Sequence, residues 1–152
     1  MNTIALGVVL SVLMLDQVSK FLVLQNIEPG GSVEVIRGIF SLTLICNSGA
    51  AFGILKNQTL LFTLISILSI VVIIVYYVKL KHRVNHVRNF ALALITAGAL
   101  GNLIDRLRFG YVVDFLDFKV WPVFNIADSA ITIGAFLLFL SMLVVDRSCP
   151  NT

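Results

Sequence analysis

The stretch LLFTLISILSIVVIIVYYV, residues 60–78, contains no charged residue. Crossing the ~30 Å hydrocarbon core of a bilayer takes about 20 predominantly apolar residues in a helix, so a run of this length and purity reads as a membrane span. The rest of the chain agrees. Of its 152 residues, 59% are hydrophobic and 12% charged, and the mean hydropathy of +1.01 lies far outside the range of soluble domains. Three further runs qualify. Residues 4–24 are apolar apart from a few such as Asp16 and Lys20. Residues 90–105 are uncharged up to Ile104 but short, and reach spanning length only if their polar end stays inside the protein. Residues 123–145 are apolar apart from Asn125, Asp128 and small hydroxyls. The expectation is an α-helical integral membrane protein with four transmembrane helices in one domain, 1–152. No Lys or Arg precedes the first run and no small-x-small cleavage pattern follows it, so it is expected to stay as an anchor.

Orientation follows from the basic residues. KLKHRVNHVR (79–88) packs Lys79, Lys81, Arg83 and Arg88 into the loop of 79–89 between helices two and three, and the positive-inside rule places that loop in the cytoplasm. Both termini are then cytoplasmic, in agreement with Arg147 at the tail, although Arg106, Arg108 and Lys119 fall on the outer side. The loop alone accounts for the net charge of +3, and nothing suggests nucleic-acid binding. Cys46 and Cys149 fall on opposite sides, which argues against a disulfide. His82 and His86 are four residues apart, but in a basic loop without a carboxylate they read as solvated rather than metal-binding.

The outer segment, about 27–56, is not helical in pattern. Pro29-Gly30-Gly31 marks a turn, and SVEVI (32–36) and FSLTLIC (40–46) alternate polar and apolar residues around Arg37-Gly38. This predicts a small extracytoplasmic β-strand segment between helices one and two, its apolar face on the membrane surface. NSGAAFG (47–53) follows; its small residues suit either a cleft wall for an extended peptide or a plain re-entry loop.

With this topology the polar residues converge on one depth. Asp16 and Lys20 lie four apart in the outer half of helix one and can pair. Asn102, Asp105 and Arg106 lie at the outer end of helix three, Asn125 and Asp128 at the outer end of helix four, and Asn47, Asp114 and Asp117 in the outer segments. At about 1.5 Å per residue, Asp128 lies roughly 6 Å below Phe124. The inner halves are almost purely apolar, and Ala97 and Gly101 have the spacing of a close-packing helix face, with packing the preferred reading of Gly98 and Gly101 too. Carboxylates are the only candidate catalytic groups in number; Ser19 and Lys20, adjacent on a helix, point about 100° apart and cannot easily work together. Two carboxylates sharing a proton can activate water and protonate a leaving amine. Asp117, close to Lys119 in a loop, reads as a solvated acid, and Asp105, beside Arg106, as an ion-pair partner. Asp114 lies in YVVDFLDF (111–118), an apolar stretch that would dip back to the bilayer. Asp114 with Asp128 is the preferred pair and Asp105 the rival. Asp128 could instead cap helix four, a role Asn125 could equally fill. A transporter or proton relay would need polar residues across the whole bilayer, and here they stop in the outer half; a structural scaffold or lipid-binding protein would leave Asn102, Asp114, Asn125 and Asp128 without roles.

The chain also resembles the bacterial lipoprotein signal peptidases, or signal peptidase II, in five blocks in order: DQVSK (16–20), NSGAAFG (47–53), GNLIDR (101–106), VVDF (112–115) and FNIADSAI (124–131). The one visible departure is Ala97 in AGALGN (97–102), where a Gly is usual. The resemblance implies an aspartic endopeptidase of the bacterial inner membrane. It would remove the signal peptide from a diacylglyceryl-modified prolipoprotein, cutting just before the lipidated cysteine of the lipobox. By the same resemblance Asp114 and Asp128 are catalytic. Asn47, Gly49, Asn102, Arg106 and Asn125 bind substrate or shape the site, and Asp16 and Lys20 support it. No metal or cofactor is implied. The expected partners are the prolipoprotein, membrane lipid and a globomycin-type cyclic peptide inhibitor, and the protein is expected to act as a monomer.

Overall fold

The computed structural model describes residues 3–49, 58–79 and 86–146. Most of the NSGAAFG stretch, the middle of the basic loop with His82, and Arg147 and Cys149 in the tail lie outside them. Four of the described helices are long and apolar enough to cross a membrane. They are α1 (Thr3–Asn26), α2 (Thr59–Lys79), α3 (His86–Phe109) and α4 (Ile126–Asp146). Between α1 and α2 run strands β1 (Ser32–Ile36) and β2 (Phe40–Asn47), as the alternation predicts.

The sequence reading falls short at α3. The helix extends four residues beyond the expected 90–105 at each end, so the outer loop begins only after Phe109. The reason is where α3 sits. It is the central helix, packed against α1, α2 and α4, and half of its most apolar window is buried against only 6% of that of α2. A helix that faces protein can carry Asn102, Asp105 and Arg106 inside its span; one that faces lipid cannot.

Small residues let these helices approach. Ala93 and Ala97 of α3 form a buried cluster with Ala5 and Val9 of α1. A side chain at Gly98 would run into the carbonyl of Ala127, and one at Gly134 would come within 2.7 Å of the carbonyl of Ala91. Gly98 and Gly134 thus hold α3 and α4 in backbone contact at two levels. A Cβ at Gly101 would lie 2.6 Å from Oδ2 of Asp16, so this glycine makes room for a carboxylate from α1.

A third strand, β3 (Val112–Asp117), completes an antiparallel sheet in the order β1-β2-β3. The stretch YVVDFLDF, read from the sequence only as an apolar segment, is thus a strand of the same sheet. VVDFLD is buried on both faces except at Leu116, so it lacks the alternation that identified its neighbours. Val113 and Phe115 pack with Leu44 and with Val23 near the end of α1, which fixes the sheet on the helix ends. After β3 the chain turns through Lys119, at φ 64°, and doubles back. Phe124 pairs with Leu116 in both directions, N–H of Leu116 to O of Phe124 at 2.8 Å and the reverse at 3.2 Å. The turn is tied by Asp117, which accepts from the backbone N–H of Lys119 (2.9 Å), its Nζ (2.6 Å) and Oγ1 of Thr43 (2.8 Å). Asp117 is therefore a buried clasp rather than a solvated acid, and its bonds to Lys119 and Thr43 hold its pKa below the usual carboxylate range.

Candidate active site

Four elements meet at the sheet end of the bundle. Cross-strand pairing of Ile45 with Asp114 and of Asn47 with Val112 puts these four residues on one face of the sheet, opposite to Val113 and Phe115. On that face the diagonal neighbours touch: Nδ2 of Asn47 donates to Oδ2 of Asp114 at 2.8 Å. The backbone N–H of Gly49 donates to Oδ1 of Asn47 at 3.0 Å, which turns the Asn47 amide so that its NH₂ points at the carboxylate.

The doubling back of 118–124 delivers α4 to the same place. Oδ1 of Asn125 accepts the N–H of Asp128 at 2.8 Å, so Asn125 is the N-cap of α4. The N–H of Ala127 is taken by Oδ1 of Asp16 at 2.9 Å, a cap contributed by α1. These two N–H groups of the first turn are thus satisfied without the Asp128 side chain. That carboxylate instead accepts from Nδ2 of Asn102 at 2.7 Å.

The orientation of both asparagines follows from their donors. Nζ of Lys20 lies 3.1 Å from Oδ1 of Asn102; an ammonium only donates, so the oxygen of Asn102 faces Lys20 and its NH₂ faces Asp128. With its oxygen on the Asp128 N–H, Asn125 directs its NH₂ to Oδ1 of Asp114 at 2.7 Å, and also lies 3.2 Å from Oδ1 of Asn102. A continuous amide chain therefore links Asp114 to Asp128 through Asn125 and Asn102.

Behind it is a buried charge cluster. Lys20, 2% exposed, pairs with Asp16 at 2.9 Å and Asp105 at 2.8 Å. Asp105 was expected beside Arg106; its partners are Lys20, the N–H of Val113 (3.1 Å) and Nε2 of Gln17 (3.1 Å). Gln17 also reaches Asp16 and the carbonyl of Gly101. Nothing in the sequence singled it out, since an uncharged residue between Asp16 and Lys20 carries no signal until α3 is placed against it. Among the described residues no buried side-chain nitrogen or oxygen lacks a partner.

In front of the chain of amides opens a cleft of about 640 Å³. Asn47, Gly49, Asn102, Arg106, Asp114 and Asp128 form its polar wall, and Trp121 to Phe124 with Ile133 its apolar one. Asp16, Lys20, Asp105 and Asn125 stand behind that lining. A smaller crevice of about 270 Å³ adjoins it at Asn102, Arg106 and Asp128 and runs past Ile65, Ser69 and Ile131, between α2 and α4 over α3. Burial, and then repulsion from Asp128, push the carboxyl of Asp114 up to about 7, against the opposing bonds from Asn47 and Asn125 and the charge of Lys20. A carboxyl near 7 can hold a proton or release it at neutral pH, which is what acid–base chemistry on a peptide bond needs.

Residues 8–144 match the family model described as signal peptidase (SPase) II. The chain is 50% identical to the lipoprotein signal peptidase of Halothermothrix orenii over 133 residues, covering 88% of this chain and 90% of that protein. It is 48% identical to that of Moorella thermoacetica over 135 residues, covering 89% of each. Among solved structures, a bacterial membrane enzyme determined by the in meso method superposes with a TM-score of 0.88 at 35% identity, over 97% of this chain and 93% of that one. A second such enzyme gives 0.82 at 37% identity, over 91% and 92%.

Proposed function

The chain belongs to the signal peptidase II family, and from that membership we propose that it is an aspartic endopeptidase acting on diacylglyceryl-modified prolipoproteins, with Asp114 and Asp128 as the reacting pair. The family makes it a bacterial multi-pass membrane protease that removes signal peptides from prolipoproteins. The observation that carries the finer reading is that both carboxylates line one cleft while a separate residue, Asn125, caps α4. Asp128 is therefore not needed as the cap of α4, and its carboxylate, held by Asn102, lines the cleft.

In this reading the pair holds one proton between its members. The ionised carboxylate takes a proton from water as its oxygen attacks the scissile carbonyl carbon. The protonated one gives its proton to the carbonyl oxygen; collapse of the tetrahedral intermediate then breaks the C–N bond as the first carboxyl passes the proton it took from water to the nitrogen, and the second recovers its proton from the hydroxyl that becomes the new carbonyl. Arg106 and Asn47 donate hydrogen bonds to peptide carbonyls and hold the chain extended across the pair. The apolar wall and the crevice between α2 and α4 offer contact to signal-peptide and lipid. The same cleft would take a globomycin-type cyclic peptide. The protein acts as a monomer with both termini in the cytoplasm and the cleft toward the outer face, where a membrane-anchored substrate presents its cleavage site.

The test is processing of a diacylglyceryl-modified prolipoprotein by the purified protein in lipid bilayers. Mass spectrometry of the product should find an N-terminal lipidated cysteine; a cut at any other bond, or none, would overturn the reading. The pH profile is a second expected result. With the carboxyl of Asp114 pushed up to about 7, the pair loses its shared proton through this region, and the doubly ionised pair cannot protonate the substrate. Turnover should therefore fall as pH rises through this region, with the slope of a single proton. The same sign applies to stability: a carboxyl whose pKa is raised on folding favours the folded state at low pH, and that contribution is lost between the unfolded value and about 7.

A further inference from the structure

Arg106 lines a cleft that also holds two carboxylates, yet it forms no ion pair with either among the described residues. An unrestrained guanidinium at that position would fold onto them. What holds it is α2. Nη1 of Arg106 donates to Oγ of Ser66 at 3.2 Å, and its guanidinium carbon stands 5.7 Å from the ring centre of Phe62. The Ser66 hydroxyl gives its own proton to the carbonyl of Phe62 at 2.9 Å, one turn back. Its oxygen is thereby left as an acceptor, which is the polarity a guanidinium requires. The carbonyl of Asn102, at 3.4 Å from Nη1, completes the holder. Phe62 and Ser66 are four apart on one face of a helix that packs on α3 and makes no comparable contact with α1 or α4.

We infer that Phe62 and Ser66 are positioning residues for the cleavage reaction: they form a clasp on α2 that keeps the Arg106 guanidinium off Asp114 and Asp128 and free to receive substrate carbonyls. The inference rests on the reading of those two aspartates as the reacting pair. The charged groups around the clasp are Asp114 on β3 and Asp128 on α4, with Asp16 and Lys20 of α1 and Asp105 of α3 behind Asn102. Phe62 and Ser66 bring no charge of their own; Phe62 also lines the cleft, and both line the adjoining crevice, so Ser66→Ala, the smaller change, is the variant that reads the release of Arg106.

The experiment measures cleavage efficiency and its pH dependence for Ser66→Ala and Phe62→Leu, with Ser66→Thr and Phe62→Tyr as conservative controls. A released Arg106 pairs with the carboxylates and favours their ionised form. The alkaline limb should then move to lower pH by about one unit, and efficiency at neutral pH should fall roughly tenfold. The controls should stay within about twofold of the parent protein, and thermal unfolding in detergent should be unchanged for all four. In an Arg106→Gln background, Ser66→Ala should have no further effect. Should turnover there be too slow to follow, affinity for a lipopeptide with a non-cleavable scissile bond replaces it. Parent-like activity and pH profile in Ser66→Ala, or the same loss without Arg106, overturns the clasp. Full activity of Asp114→Asn or Asp128→Asn would instead overturn the reading beneath it, so the two failures are separable.

Discussion

Asp128→Asn should give a folded protein that no longer cleaves prolipoprotein, its rate down by about 10²–10⁴-fold or more as expected for loss of a general acid–base group. The substitution suits its surroundings. Asp128 accepts one side-chain bond, from Asn102, and an amide oxygen can accept it equally well. Thermal stability should therefore be close to that of the parent protein. Asp114→Asn should abolish cleavage too, but not as cleanly. Both oxygens of Asp114 accept, one from Asn47 and one from Asn125, and an amide has only one oxygen to offer. One donor is left facing an NH₂, which costs about 1–3 kcal/mol. Asp105→Asn is the discriminating control. Its carboxylate serves Lys20, Gln17 and the backbone of Val113, so its loss should lower the unfolding midpoint before it lowers turnover per folded molecule. Unimpaired cleavage by Asp114→Asn and Asp128→Asn, with complete loss in a folded Asp105→Asn, would transfer the role to Asp105.

The largest expected loss of stability is at Lys20. Its ammonium is buried among Asp16, Asp105 and Asn102. Lys20→Met keeps most of the volume and removes the charge, leaving two carboxylates uncompensated in the protein interior. Breaking a buried ion pair from one side typically costs about 3–5 kcal/mol, a large share of what holds a protein of this size together. The variant should accumulate poorly in membranes and unfold at markedly lower temperature when purified. Lys20→Met with Asp105→Asn should recover part of that loss, because it removes one stranded charge. A double variant no better than the single would show that packing around the lysine stem, rather than charge, sets the cost.

Much of this architecture was legible because lipid is a severe solvent. A run such as 60–78 has one reading, and polar residues on the outer ends of several spans point to a shared site. The limits of legibility also have physical causes. The ends of α3 were missed because hydropathy assumes a lipid-facing helix, and this one faces protein. β3 was missed because a strand buried on both faces has no alternation. Asn125 and Asp128 both had the spacing of a cap, and only the donor geometry separates them: one N–H, one oxygen, and the carboxylate left over. Gln17, Phe62 and Ser66 act across helices, and no pattern within a single helix could announce a partner on another one.

The double use of Asp16 bears on how such a chain enters a membrane at all. One of its oxygens holds Lys20, four residues along the same helix; the other reaches 111 positions ahead to the start of α4. The first of these bonds needs nothing but α1. Helix α1 thus carries its acid and its base as a self-neutralised pair, which lowers the cost of placing both in a bilayer whether or not α2, α3 and α4 have yet followed it. The second bond waits for α4. The polar wall of the cleft is thus complete only once α4 has docked onto Asp16, which brings Asp128 to face Asp114 across it.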